Sequence, residues 1–210
     1  PQTVNAYYDP TQNEVVFPAG ILQPPFFNAD ADDAINYGGI LAVIGHELTH
    51  GFDDQGAKYD GHGNLVDWWT ASDKANFDTR AQKYIAYFDK QEVMPGVHIK
   101  GALTIGENIA DMGGLTLSYA ALKHSLEGKP EPPLIDGYTW QQRFFLGWAQ
   151  VWRDNIRTEA LRQRIERDPH SPAHFRIDAA LGNFKPFQEA WCPDGNGKMI
   201  VPDSARVVIW

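Results

Sequence analysis

The chain has 210 residues, 43% apolar and 21% charged, enough for one globular domain with a substantial core. A formal charge of −9 argues against a nucleic-acid binder, because no basic run is present to displace counterions from a phosphate backbone. Cys192 stands alone, which excludes an intrachain disulfide and a cysteine-built zinc cage.

The sequence opens Pro1-Gln2-Thr3, without an initiator methionine or the charged and apolar regions of a signal peptide, so a piece of a longer polypeptide is expected. No apolar run approaches the roughly 20 residues of a membrane-spanning helix, so no membrane contact by this segment is expected. Residues 4–8 and 14–17 are β-prone runs around Asp9-Pro10-Thr11-Gln12-Asn13, which predicts a hairpin. The prolines in 21–27 predict an extended, aromatic-ended connector. From Asn36, the apolar residues Ile40, Leu41, Val43, Ile44 and Leu48 recur at helical spacing, and Gly51 and Gly56 supply stop signals beyond them.

Residues 65–69 read as a short strand or an apolar return into the core. Thr70 with Asp73 forms a capping signal, and Phe77, Ala81, Tyr84, Ile85 and Phe88 then repeat on one helical face. A further helix is predicted over 106–124, followed by the proline-rich loop 128–133. Thr139 with Gln142 repeats the capping signal ahead of Phe144, Trp148, Val151 and Trp152. Ser171-Pro172 reads as an N-cap followed by proline at the first helical position, with Gly182 as the stop.

The chemistry lies in His46-Glu47-Leu48-Thr49-His50. Histidines four apart on a helix share one face and can converge on a cation, while Glu47 can reach a water there without itself being a ligand. A chance polar face is the alternative, but the apolar lead-in at 40–44 predicts a buried helix, where unpaired His and Glu are costly. A catalytic zinc takes three protein ligands. Glu107 is the best candidate for the third, because Asp111, four residues on, could then accept the free ring N–H of a ligand histidine. By spacing alone, such an acid pair is more often a solvated helix face.

His46 to Asp54, followed by Gly106-Glu107-Asn108-Ile109-Ala110-Asp111, resembles the neprilysin and endothelin-converting-enzyme family of zinc metallopeptidases. Further matches span nearly the whole chain, including Val4-Asn5-Ala6-Tyr7-Tyr8, the loop 22–27, the segment 65–70, His170-Ser171-Pro172 with Phe175-Arg176, and Trp210. The resemblance implies that one zinc ion is bound by His46, His50 and Glu107, that Glu47 is the base, and that Asp111 orients a ligand histidine. It also implies that His170 stabilises the tetrahedral intermediate and that Arg176 hydrogen-bonds a substrate carbonyl.

By the same resemblance, Asn5 and Ala6 hold an extended peptide, and Phe26, Val43 and Trp152 line the pocket for an apolar residue after the cleaved bond. Plain core packing of those three stays equally open.

The fold class implied is α+β, a mainly helical thermolysin-like zincin (gluzincin) catalytic domain over 1–210 with an N-terminal β-hairpin. Family members are usually longer, and the helical lid domain that closes their active site, together with other N-terminal regions, is expected to be missing. Ser204-Ala205-Arg206 stands where many animal members carry a disulfide-bonded cysteine, which favours a bacterial member. The resemblance also favours an exported location. The expected partners are peptides, cleaved on the amino side of apolar residues. A non-catalytic peptide-binding fragment is the alternative, and a purely structural zinc is disfavoured by the ligand count.

Overall fold

The computed structural model describes residues 1–210 and is mainly helical. Strands β1 (Tyr7–Asp9) and β2 (Glu14–Val16) pair antiparallel with Tyr7 opposite Val16. The pairing starts later than the β-prone run 4–8. Asn5 and Ala6 make no backbone–backbone hydrogen bond, so this stretch of chain stays available as an edge. The connector expected to be extended is instead a run of turns. A 3-10 turn spans Ala19–Ile21, and Phe26 and Phe27 both donate their amides to the Gln23 carbonyl.

The motif segment is not one straight helix. Helix α1 (Asp33–Asn36) runs through a π-turn (Tyr37–Leu41) into α2 (Ala42–Thr49). The break falls at Gly39, whose φ/ψ of −89°/−105° is non-helical and whose neighbour Ile40 donates its amide to the Phe26 carbonyl at 2.8 Å. This bond ties the aromatic loop to the motif helix. Residues 65–69 form no strand, only a single bridge between Tyr59 and Leu65.

Helix α3 (Ala71–Phe88) carries the predicted cap, with Asp73 N donating to Thr70 Oγ1, and buries Phe77, Ala81, Tyr84 and Phe88. A second hairpin, β3 (Glu92–Met94) with β4 (Val97–His98), then leads into α4 (Gly101–Ser125). Helix α4 starts five residues before the expected Gly106 because Asp89, at the end of α3, accepts the Gly101 amide at 2.7 Å.

Helix α5 (Trp140–Val151) has the full predicted capping box and buries Phe144 and Trp148. Helices α6 (Thr158–Arg167), α7 (Ala173–Gly182) and α8 (Lys185–Trp191) follow. Ser171 does not cap α7. Its hydroxyl is spent on Asn108 Oδ1 at 2.7 Å, and Pro172 occupies the N-cap position. The main core gathers α3, α4, α5 and α7 around Ile109, Leu115, Phe144 and Trp148, all fully buried.

Helices α2 and α4 cross in backbone contact. A methyl group at Gly114 would lie 2.4 Å from the Ala42 carbonyl oxygen and 2.8 Å from the His46 amide nitrogen. One at Gly45 would lie 2.9 Å from Gly114 Cα. Both obstacles are main chain and cannot rotate away. Gly114→Ala is therefore expected to cost about 1–3 kcal/mol in denaturant unfolding and to weaken zinc binding, because relief requires the two helices to separate. A variant with wild-type midpoint and wild-type zinc affinity would contradict this.

Candidate metal centre and active-site cleft

Helix α2 presents His46 and Glu47, its first residue beyond presents His50, and α4 presents Glu107 and Asp111. His46 Nε2 lies 3.0 Å from His50 Nε2 and 3.3 Å from Glu107 Oε2, and His50 Nε2 lies 3.8 Å from the same oxygen. The far side of each ring faces a carboxylate: His46 Nδ1 is 2.9 Å from Asp111 Oδ1, and His50 Nδ1 is 2.7 Å from Asp53 Oδ2. An ionised carboxylate only accepts, so each Nδ1 carries the proton and each Nε2 turns a lone pair inward. Two lone pairs at 3.0 Å repel, and Glu107 Oε2 is buried without a hydrogen bond beside them.

A positive charge must sit between these atoms, either a proton or a cation. Tetrahedral zinc with ligands at about 2.0–2.1 Å has edges of about 3.3 Å, and the three separations of 3.0, 3.3 and 3.8 Å bracket that value. Three protein donors, none of them sulfur, correspond to a catalytic site with one open position.

Burial pulls the His46 imidazole down, but its hydrogen bond to Asp111 and the neighbouring Glu107 carboxylate overcome it and hold the group up at about 9. Burial likewise opposes ionisation of Glu107 and Asp111. The adjacent His46 imidazole brings Glu107 down to about 2, and Arg176 with His46 brings Asp111 to about 2. Glu47, only 5% exposed, moves the other way: desolvation raises its pKa against the pull of His46 and His50.

These groups open onto a cleft of about 680 Å³. Of the residues expected there, Asn5, Ala6, Phe26, Val43, Trp152, His170 and Arg176 all line it, with Glu47 and the three candidate ligands. Asp111 lies behind His46 and is 1% exposed. Arg176, which spacing alone made a surface charge, is buried. It clamps Asp111 through Nε and Nη2, and its guanidinium stacks on Trp152 at 3.6 Å. His170 points Nε2 at Glu107 Oε1, 3.3 Å away, and its Nδ1 lies 2.7 Å from Asp168 Oδ1.

Sequence reasoning missed Asp53, Asp168 and Trp148. The two acids carried a short-range signal, since each lies within three residues of the histidine it orients. Trp148 read as core, and it does donate Nε1 to the Arg176 carbonyl at 2.9 Å while also lining the cleft.

Residues 5–207 match the sequence pattern of peptidase family M13. The chain belongs to that family. It is 43% identical over 208 residues to human neprilysin, covering 97% of this chain and 28% of neprilysin, and 45% identical over 199 residues to human endothelin-converting enzyme 1. The inhibitor-bound zinc metalloprotease Zmp1 of Mycobacterium tuberculosis superposes with a TM-score of 0.94 at 50% identity, covering 99% of this chain and 32% of Zmp1. PepO from Lactobacillus rhamnosis gives 0.88 at 37% identity, covering 100% and 31%. This M13 chain thus spans about a third or less of the length of these relatives. The fold is a mainly helical gluzincin domain with a small N-terminal hairpin and a second one between α3 and α4.

Because the His46 imidazole holds its proton up to about 9, zinc must expel that proton at neutral pH. Calorimetry at pH 7.5 in buffers of different ionisation heat is expected to show about one proton released per zinc, with affinity rising roughly tenfold per pH unit below 9. A proton count near zero would contradict this. Asp53→Asn is expected to weaken zinc binding by about 10–100-fold, read by competition with a chromophoric chelator.

Proposed function

We propose that this chain is the catalytic unit of a zinc-dependent endopeptidase that hydrolyses oligopeptides on the amino side of apolar residues. The convergence of His46 Nε2, His50 Nε2 and the unpartnered, buried Glu107 Oε2 carries the reading. These three groups hold one zinc ion. When bound, it supplies Lewis-acid polarisation and lowers the pKa of a water.

The chain's own residues supply the rest. Glu47, its pKa raised by burial, takes a proton from the attacking water and returns it to the leaving nitrogen. Asp111 and Asp53 hold the ligand imidazoles in the tautomer that leaves Nε2 free. His170, steadied by Asp168, turns Nε2 to the cleft, where it stabilises charge growing on the carbonyl oxygen. Arg176 spends Nε and Nη2 on Asp111, which leaves Nη1 for a peptide carbonyl.

Along one wall, the unpaired backbone of Asn5 and Ala6 receives the peptide as an added strand, as exposed sheet edges do. Phe26, Val43 and Trp152 form the apolar wall that selects the residue after the scissile bond. No helix here is long and apolar enough to cross a membrane, and the family resemblance favours an exported enzyme.

Glu47→Gln is expected to retain zinc, measured by elemental analysis, while losing about 10²–10⁴-fold in peptide turnover. Substantial residual turnover with zinc bound would sink the assignment of Glu47. Peptide binding by the wild-type chain without chelator-sensitive cleavage would support a non-catalytic binding fragment instead.

A further inference from the structure

Two guanidinium groups line the cleft, and they are differently committed. That of Arg176 is buried against Asp111 and Trp152. Arg164, near the end of α6, keeps 38% of its side chain exposed. Its Nε donates to Asp168 Oδ2 at 3.0 Å, and neither terminal nitrogen has a protein partner. Asp168 is itself pinned, because its Oδ1 accepts the backbone amide and lies against the Nδ1 of His170. The anchored guanidinium is therefore held beside His170 with its two amino groups free. A planar pair of donors at that spacing matches the two oxygens of a carboxylate.

The other charged groups of the cleft cannot substitute for it. Asp53, Glu107 and Asp168 are acids engaged with imidazoles, and Glu47 is a buried acid. On a chain of net charge −9, an anionic peptide meets general repulsion, so a single oriented cation inside the cleft decides where its negative charge can lie.

We propose that Arg164 is a specificity-determining residue that recognises a carboxylate of the bound peptide, through the face of the cleft shared by His170, Asp168 and Arg164. This rests on the peptidase reading for the identity of the ligand, and it names one substrate feature: an acidic side chain or the free C-terminus at the position that meets Arg164. Anchoring at Nε lowers the ordering cost of that contact. The guanidinium is part-exposed, so the effect is modest, about five- to tenfold in affinity.

The test uses fluorophore-labelled heptapeptides of alanine around one phenylalanine. One position at a time carries Glu or Gln, and each peptide ends in a free acid or an amide. Binding is measured by anisotropy on the zinc-loaded Glu47→Gln protein with Arg164 intact, with Arg164→Gln and with Arg164→Lys. One acid-to-neutral pair is expected to show a ratio of about five to ten, falling to about one with Arg164→Gln and to an intermediate value with Arg164→Lys, which keeps the charge but not the planar pair of donors.

A ratio on the side-chain pair assigns an acidic residue, and one on the terminal pair assigns the C-terminus. Ratios near one at every position, or a preference that survives both substitutions, overturn the proposal. Cleavage of the neutral peptides by wild-type protein, with and without chelator, is scored separately, so failure of the peptidase reading is distinguishable from failure of the Arg164 contact.

Discussion

The candidate metal cluster depends on the main-chain contact between α2 and α4. Its three donors come from α2, the residue just after it, and α4, segments separated by more than fifty residues of sequence, and they can meet only if the two helices approach closer than side chains normally permit. Gly45 on α2 and Gly114 on α4 remove the intervening Cβ atoms. Helix pairs packed through side chains sit about 8–10 Å apart, and glycine at the crossing permits a nearer approach. The histidine pair and Glu107 then fall into one small volume. The same crossing sets Asp111 against the back of His46, so a single contact aligns both the donors and the group that orients one of them.

Around that crossing, three imidazoles each face a carboxylate. Asp111 faces His46 and is clamped by Arg176, Asp53 faces His50, and Asp168 faces His170. A buried carboxylate or imidazolium is costly unless paired and hydrogen-bonded, and each of these pairs holds a ring in one orientation as well as balancing charge. Glu47 is the exception. It is buried in the same cleft with no hydrogen-bond partner in the protein, which is why its pKa rises while those of its neighbours fall. A buried carboxylate whose pKa is raised by desolvation is suited to exchanging a proton.

Much of this was legible in the sequence where the signal is local. The capping pairs Thr70/Asp73 and Thr139/Gln142 located the starts of α3 and α5, and the apolar repeat of α3 named its buried face. What depended on distant partners was not. The early start of α4 needs Asp89 from another helix, and Ser171 looks like a cap until Asn108 is seen to take its hydroxyl. The π-turn at Gly39 is set by the Phe26 carbonyl, which no helical periodicity reports.

At the site, the histidine pair was readable from spacing alone. Glu107 was not, because acids four apart are usually solvated, and family resemblance was needed to select it. Asp53 and Asp168 were within reach of a search for acids close to each histidine. The burial of Arg176 had no sequence signal.

The central claim is that one crossing assembles one zinc site from α2 and α4. Anomalous diffraction at the zinc edge, from crystals of the zinc-loaded chain, tests it most directly. The account predicts a single peak bonded to His46 Nε2, His50 Nε2 and Glu107 Oε2, with the remaining position toward the cleft. A peak at other residues, a second peak of equal height, or coordination without Glu107 would contradict it.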